Sequence, residues 1–141
     1  MHTITKTRTI AAPATVVWDI LRDFNGLERW HPNVTASRLD GSQRIGCVRT
    51  LTLANGGTIR ERLERLDETA YRCSYALLEG PLPVSDYLGT LAVHPAKDGC
   101  VVEWSATMAI HGDAADVTGA LGQVYADGLA GLDAAVSARP A

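Results

Sequence analysis

No run of apolar residues in this chain of 141 residues approaches the roughly 20 needed to cross a bilayer as a helix, so a membrane span is not expected. Basic residues are not in excess either: 13 Lys and Arg stand against 16 Asp and Glu, for a net charge of -3. A phosphate backbone needs a concentrated basic surface, and the arginines are scattered apart from Arg60, Arg62 and Arg65, so no nucleic-acid partner is expected. Cysteines number only three (Cys47, Cys73, Cys100), widely spaced in apolar or alternating segments, which excludes a disulfide framework and suits reduced core residues. CxxC, HExxH and GxGxxG are absent, and His2, His31, His94 and His111 lack metal-ligand spacing, so neither a metal nor a cofactor is expected. Met1 to Ile10 lacks the basic-then-apolar order of a secretory signal, and a cytoplasmic location follows as the expectation.

What is present is the balance of an ordinary globular protein, 46% hydrophobic and 21% charged, without a linker-like stretch, and one domain over residues 1–141 is expected. Thr3 to Ile10 alternates with β-branched residues, as a strand does. Pro13 suits the first turn of a helix to about Arg22, with Val17, Ile20, Leu21 and Phe24 at helical spacing and one further turn over Leu27 to Trp30. Six alternating runs follow, near 34–40, 47–54, 58–66, 70–78, 85–94 and 100–110, divided by turn signals such as Asp40-Gly41, Asn55-Gly56-Gly57 and Gly80-Pro81-Leu82-Pro83. After Gly112, with Asp113 as N-cap, Val117, Leu121, Val124, Tyr125, Gly128, Leu132 and Val136 share one helical face to about Ser137. Seven strands with one long covering helix predict an α+β fold whose antiparallel sheet curves around that helix. Such a curve leaves space between the two.

These segments resemble the polyketide cyclase/dehydrase branch of the SRPBCC (START-like) superfamily, with its helix-grip fold. The resemblance is carried by Ala-Ala-Pro-Ala-Thr-Val-Val-Trp-Asp-Ile-Leu (11–21), Asp-Phe-Asn-Gly-Leu-Glu-Arg-Trp-His-Pro (23–32) and Ile-Gly-Cys-Val-Arg (45–49). Further matches are Arg-Glu-Arg-Leu (60–63) with Asp67, Tyr71 to Tyr75, Pro83 to Tyr87 and Val102-Glu103-Trp104, so it covers essentially the whole chain. It implies an internal cavity for an apolar small molecule. It names no substrate, because the superfamily includes cyclases, other small-molecule enzymes, hydrophobic-ligand carriers and chaperone activators.

Alternation selects the candidate site residues. Ile59, Glu61 and Leu63 share one face of their strand, and Cys47, Arg49, Leu51 and Leu53 one face of the strand before, so Arg49 and Glu61 are expected side by side on the apolar face. An inward carboxylate either pairs with a cation or has a raised pKa. Two roles are open: a structural ion pair, or Glu61 as a general base beside a carbonyl with Arg49 steadying the enolate. His31, which the resemblance puts near the cavity mouth, is a further candidate acid or base. Tyr71, Cys73, Tyr75 and Leu77 are expected on one face, and Tyr87 with Gly89 on the next. Tyr71, Tyr75, Tyr87, Trp30, Trp104 and Gly128 are the candidate ligand contacts, as cavity wall or as core. Gly119, Gly122, Gly128 and Gly131 lie in the last helix, which with the 55–57 and 80–83 loops is a candidate lid.

Two functions compete. One is a cofactor-free cyclase or dehydratase (a lyase-like enzyme) working by proton transfer on a hydrophobic or aromatic substrate. The other is a carrier of a lipid, terpenoid or aromatic metabolite. A hydrophobic small molecule is the expected partner in both, and a sheet edge would allow a homodimer.

Overall fold

The computed structural model describes residues 1–139. Strand β1 (His2–Ile10) leads through Pro13 into helix α1 (Ala14–Leu21), which buries Val17, Trp18 and Leu21. One 3-10 turn (Leu27–Arg29) precedes strands β2 (Val34–Leu39), β3 (Val48–Leu53), β4 (Thr58–Asp67), β5 (Arg72–Glu79), β6 (Val84–Ala96) and β7 (Gly99–Ile110). Helix α2 (Ala114–Ser137) closes the chain, with the Asp113 carboxylate accepting the Asp116 N–H at 2.9 Å as its N-cap. All pairings are antiparallel, in the order β1-β7-β6-β5-β4-β3-β2, so the expected seven-stranded α+β helix-grip arrangement is the one observed. No helix among the described residues is long and apolar enough to cross a membrane.

Register shifts bend the sheet and decide which side chains face inward. In β6 the pairing with β7 slips between Ser85 and Leu88, and Asp86 takes a left-handed φ of 53°. Strict alternation would put Val84 and Tyr87 on opposite faces. The bulge lets both line the concave side. A second slip between Leu63 and Arg65 in β4 moves the inward set from Leu63 to Leu66, which pairs with Cys73.

One expectation is corrected here. Strand β5 starts at Arg72, and Tyr71 sits before it with φ 56°, at the end of a turn in which the Asp67 carboxylate accepts the Thr69 and Ala70 N–H groups. That left-handed residue turns the ring away from the Cys73–Tyr75 row and stacks it on Trp18, centroids 5.7 Å apart. Tyr71 therefore braces α1 and does not line the central cavity.

Helix α2 lies across the concave face against β1 and β7. At its edge the Lys6 stem lies against Gly122, and Arg8 Nε donates to Asp133 at 2.8 Å. Its closest approach is at Gly131, where a Cβ would strike the Trp30 carbonyl oxygen and come within 2.9 Å of Pro32 Cδ. Backbone meets backbone there, so nothing can give way cheaply. Gly119 meets nothing within 4 Å. Gly131→Ala is expected to lower stability by about 1–3 kcal/mol through overpacking, and Gly119→Ala to raise it by up to about 1 kcal/mol through helix propensity. Urea denaturation of the two variants checks both signs.

Candidate functional site

The register places Arg49 directly opposite Glu61. Both are buried, at 5% and 7% exposure, and Arg49 Nε donates to Glu61 Oε1 at 2.8 Å while Nη2 lies 2.7 Å from the same oxygen. Arg49 Nη1 donates to the Phe24 carbonyl at 2.7 Å, and the guanidinium lies 3.9 Å over the Phe24 ring and 5.1 Å from that of Tyr75. Every nitrogen of the fork is thus occupied or stacked. Both contacts to Glu61 fall on Oε1, and Oε2 takes no protein hydrogen bond among the described residues.

Beside the pair stands a cluster of hydroxyls. Trp104 Nε1 donates to the Tyr75 hydroxyl at 2.9 Å, and the Tyr125 and Tyr87 hydroxyls share a hydrogen bond. The Tyr125 ring stacks on Trp104 with centroids 4.4 Å apart and planes 8° from parallel. Burial, then the Glu61 charge, push the Tyr75 hydroxyl well above the ordinary phenol range, and burial does the same for Tyr125. They are proton-bearing groups at any physiological pH. Gly89 makes room for the Tyr75 ring, which a Cβ there would overlap.

His31 is buried at 3% exposure and makes two hydrogen bonds, Nε2 to the Val124 carbonyl at 2.9 Å and Nδ1 from the Asn33 N–H at 3.2 Å. An acceptor at Nδ1 fixes the neutral ring with its proton on Nε2. Its edge enters the notch at Gly128, where a Cβ would come within 2.7 Å of Cδ2. Burial pushes its pKa below 6.5, against weaker upward effects of the Val124 carbonyl and the Asp127 charge.

These groups border one cavity of about 370 Å³ between α2 and the sheet. Leu27, Val34, Leu51, Leu53, Ile59, Leu77, Leu121 and Val124 supply most of its wall, and Arg49, Glu61, Tyr75, Tyr87, Tyr125, Trp104 and His31 its polar part. Asn33, Asn55 and Gly80 to Leu82 form its more exposed rim, and residues of both loops expected in a lid are among them. Six of the expected residues therefore border the cavity: Arg49, Glu61, His31, Tyr75, Tyr87 and Trp104. Trp30 and Gly128 stand behind it, Trp30 edge-on to Trp104 at 5.8 Å and Gly128 against the rings of Trp104 and His31. The hydroxyl of Tyr125 is the polar group of the cavity least visible in the sequence, since helical spacing marks it only as one residue of an apolar stripe.

A curved antiparallel sheet gripping a long helix above a largely apolar cavity defines a helix-grip protein with an internal cavity. The chain belongs to the polyketide cyclase/dehydrase and lipid transport family, whose model matches residues 1–137. It is 30% identical over 89 residues to the abscisic acid receptor PYL7 of Arabidopsis thaliana, a match spanning 61% of this chain and 42% of that protein. The chain thus spans less than half the length of the curated relatives it matches. Among solved structures it is similar to the XoxI protein of Bacillus cereus, at 30% identity and TM-score 0.89 over 98% of this chain and 97% of that one. It also shares the fold of norcoclaurine synthase from Thalictrum flavum, at 19% identity and TM-score 0.80 over 99% and 88% of the two chains.

Two predictions follow from this geometry. Arg49→Met leaves the Glu61 carboxylate buried without its partner and is expected to cost about 3–5 kcal/mol, whereas the double variant Arg49→Met/Glu61→Leu recovers most of the loss; urea denaturation compares them. His31 has a folded-state pKa below its ordinary value of 6.5, so the unfolded chain binds its proton first. Its contribution to stability is complete above about pH 6.5 and is lost as pH falls from there towards the folded value. Melting temperatures between pH 7.5 and 5.5 are expected to drop more for the natural protein than for His31→Gln.

Proposed function

We propose that the protein binds an apolar small molecule in the cavity and that Arg49 and Glu61 form the scaffold of its polar floor. The carrying observation is that each guanidinium nitrogen of Arg49 already meets Glu61 or the Phe24 carbonyl, and both nitrogens of His31 meet backbone groups. An enolate at Arg49 would compete with Glu61 for the same guanidinium charge, and His31 cannot give its Nε2 proton without leaving the Val124 carbonyl of α2, nor take one at Nδ1 without losing the Asn33 N–H. Most of the remaining wall is apolar, which suits a ligand whose affinity comes largely from buried area. A family description that includes lipid transport, and partial similarity to a receptor for a small molecule, support the same role.

Filling the cavity is the test. Leu121→Trp is expected to weaken binding of 2-ethylnaphthalene by about tenfold or more, equivalent to roughly 1.4 kcal/mol, with melting temperature little changed. Equal affinity in the variant and the natural protein, by calorimetric titration, would place binding elsewhere.

Glu61 Oε2 favours a second function, proton transfer in the manner of a cyclase or dehydratase, because an acceptor oxygen without a protein donor borders the cavity. If Glu61 acts as a base, the protein accelerates exchange of the methyl protons of 2-acetylnaphthalene into heavy water, and Glu61→Gln abolishes the acceleration. NMR loss of the methyl signal reads the rate, and an unaccelerated exchange in the natural protein rules the base out.

A further inference from the structure

The hydroxyl cluster does not balance. Trp104 Nε1, Tyr75, Tyr87 and Tyr125 bring four hydrogens, and two hydrogen bonds join them, Trp104 to Tyr75 and Tyr87 with Tyr125; even a third, between Tyr75 and Tyr125, would leave one hydrogen over. Trp104 can only donate, and each hydroxyl carries a single hydrogen. However the protons are arranged along the chain, one O–H has no acceptor inside it. All three tyrosines border the cavity. A ligand that displaced solvent from the cavity without offering an acceptor would leave that donor unsatisfied, so one that supplies an acceptor is favoured.

Charge sets the second requirement. Arg49 is the sole cation bordering the cavity among the described residues, and its positive charge is already matched by Glu61 at 2.8 Å. A ligand carboxylate would enter with no free counter-ion and with the Glu61 charge nearby, at a heavy desolvation cost. A cation would face the same Glu61 oxygen but also the guanidinium beside it.

Resting on the binding function proposed above, we infer that the ligand is a neutral aromatic or alicyclic compound carrying one carbonyl-type acceptor oxygen, held by the spare tyrosine O–H, and not a carboxylic acid. No cation uncommitted to a partner borders the cavity among the described residues, which sets the selectivity against an acid.

Three probes of one size separate the possibilities: 2-acetylnaphthalene, 2-ethylnaphthalene and 2-naphthoate, titrated into the natural protein and followed by the tryptophan indole N–H signals. The ketone is expected to bind on the order of fivefold tighter than the ethyl compound, as one net hydrogen bond gives, and tighter than the naphthoate. Its carbonyl stretch, isolated with a ¹³C label, is expected at lower wavenumber in the complex than in cyclohexane. Equal affinity for the ketone and ethyl compounds, or an unshifted carbonyl stretch, overturns this inference and leaves the apolar-binding function standing. Tightest binding of the naphthoate overturns it by revealing an available cation. Failure of all three to bind removes the binding function and this inference with it.

Discussion

The buried pair between Arg49 and Glu61 is the interaction on which the site depends. Two charges have left water, and each is kept only because the other is within hydrogen-bond distance. The pair sits at one register position of β3 and β4, and through the Phe24 carbonyl Arg49 also fastens the segment between α1 and the 3-10 turn to the sheet. The Phe24 ring covers the guanidinium from one side and Tyr75 from another. The result is a polar floor with no net charge. An apolar cavity over such a floor offers little to offset the desolvation of a charged ligand.

The cavity exists because α2 approaches the rest of the chain unevenly. Towards its C-terminal half, Gly128 and Gly131 let the helix touch the rings of Trp104 and His31 and the backbone of Trp30. Nearer its N-terminus, the side chains of Leu121, Val124 and Tyr125 hold the helix off the sheet and border the void. His31 joins these regimes, its ring lodged at Gly128 and its Nε2 on the Val124 carbonyl. A substitution that fills either glycine notch would therefore move the cavity wall as well as the helix. Stability and ligand fit are coupled through the same contacts.

Much of this was legible in the sequence because it follows from alternation. Parity placed Arg49 and Glu61 inward on neighbouring strands, and the structure sets them face to face. The opening strand, the cap at Asp113 and the long helix followed equally from local pattern and turn residues. Parity fails where the backbone departs from it. Tyr71 shares the parity of Tyr75, yet a left-handed residue at the strand entry sends its ring to Trp18 instead. The bulge at Asp86 brings Val84 and Tyr87 to one face, which no alternating pattern anticipates. Trp30 and Gly128 illustrate a different limit: spacing identifies a residue that faces inward but not whether a void or a neighbouring ring awaits it. Tyr125 was hidden for that reason, and the position of its hydroxyl depends on where α2 lies over the sheet.

The account turns on a ligand seated between α2 and the neutral floor, and intermolecular nuclear Overhauser contacts locate it most directly. With 2-ethylnaphthalene bound to methyl-labelled protein, contacts are expected to the methyl groups of Leu51, Leu121 and Val124, which border the cavity from the sheet and from the helix. Contacts confined to Leu78 and Leu88, the exposed leucines of β5 and β6, would contradict an internal site.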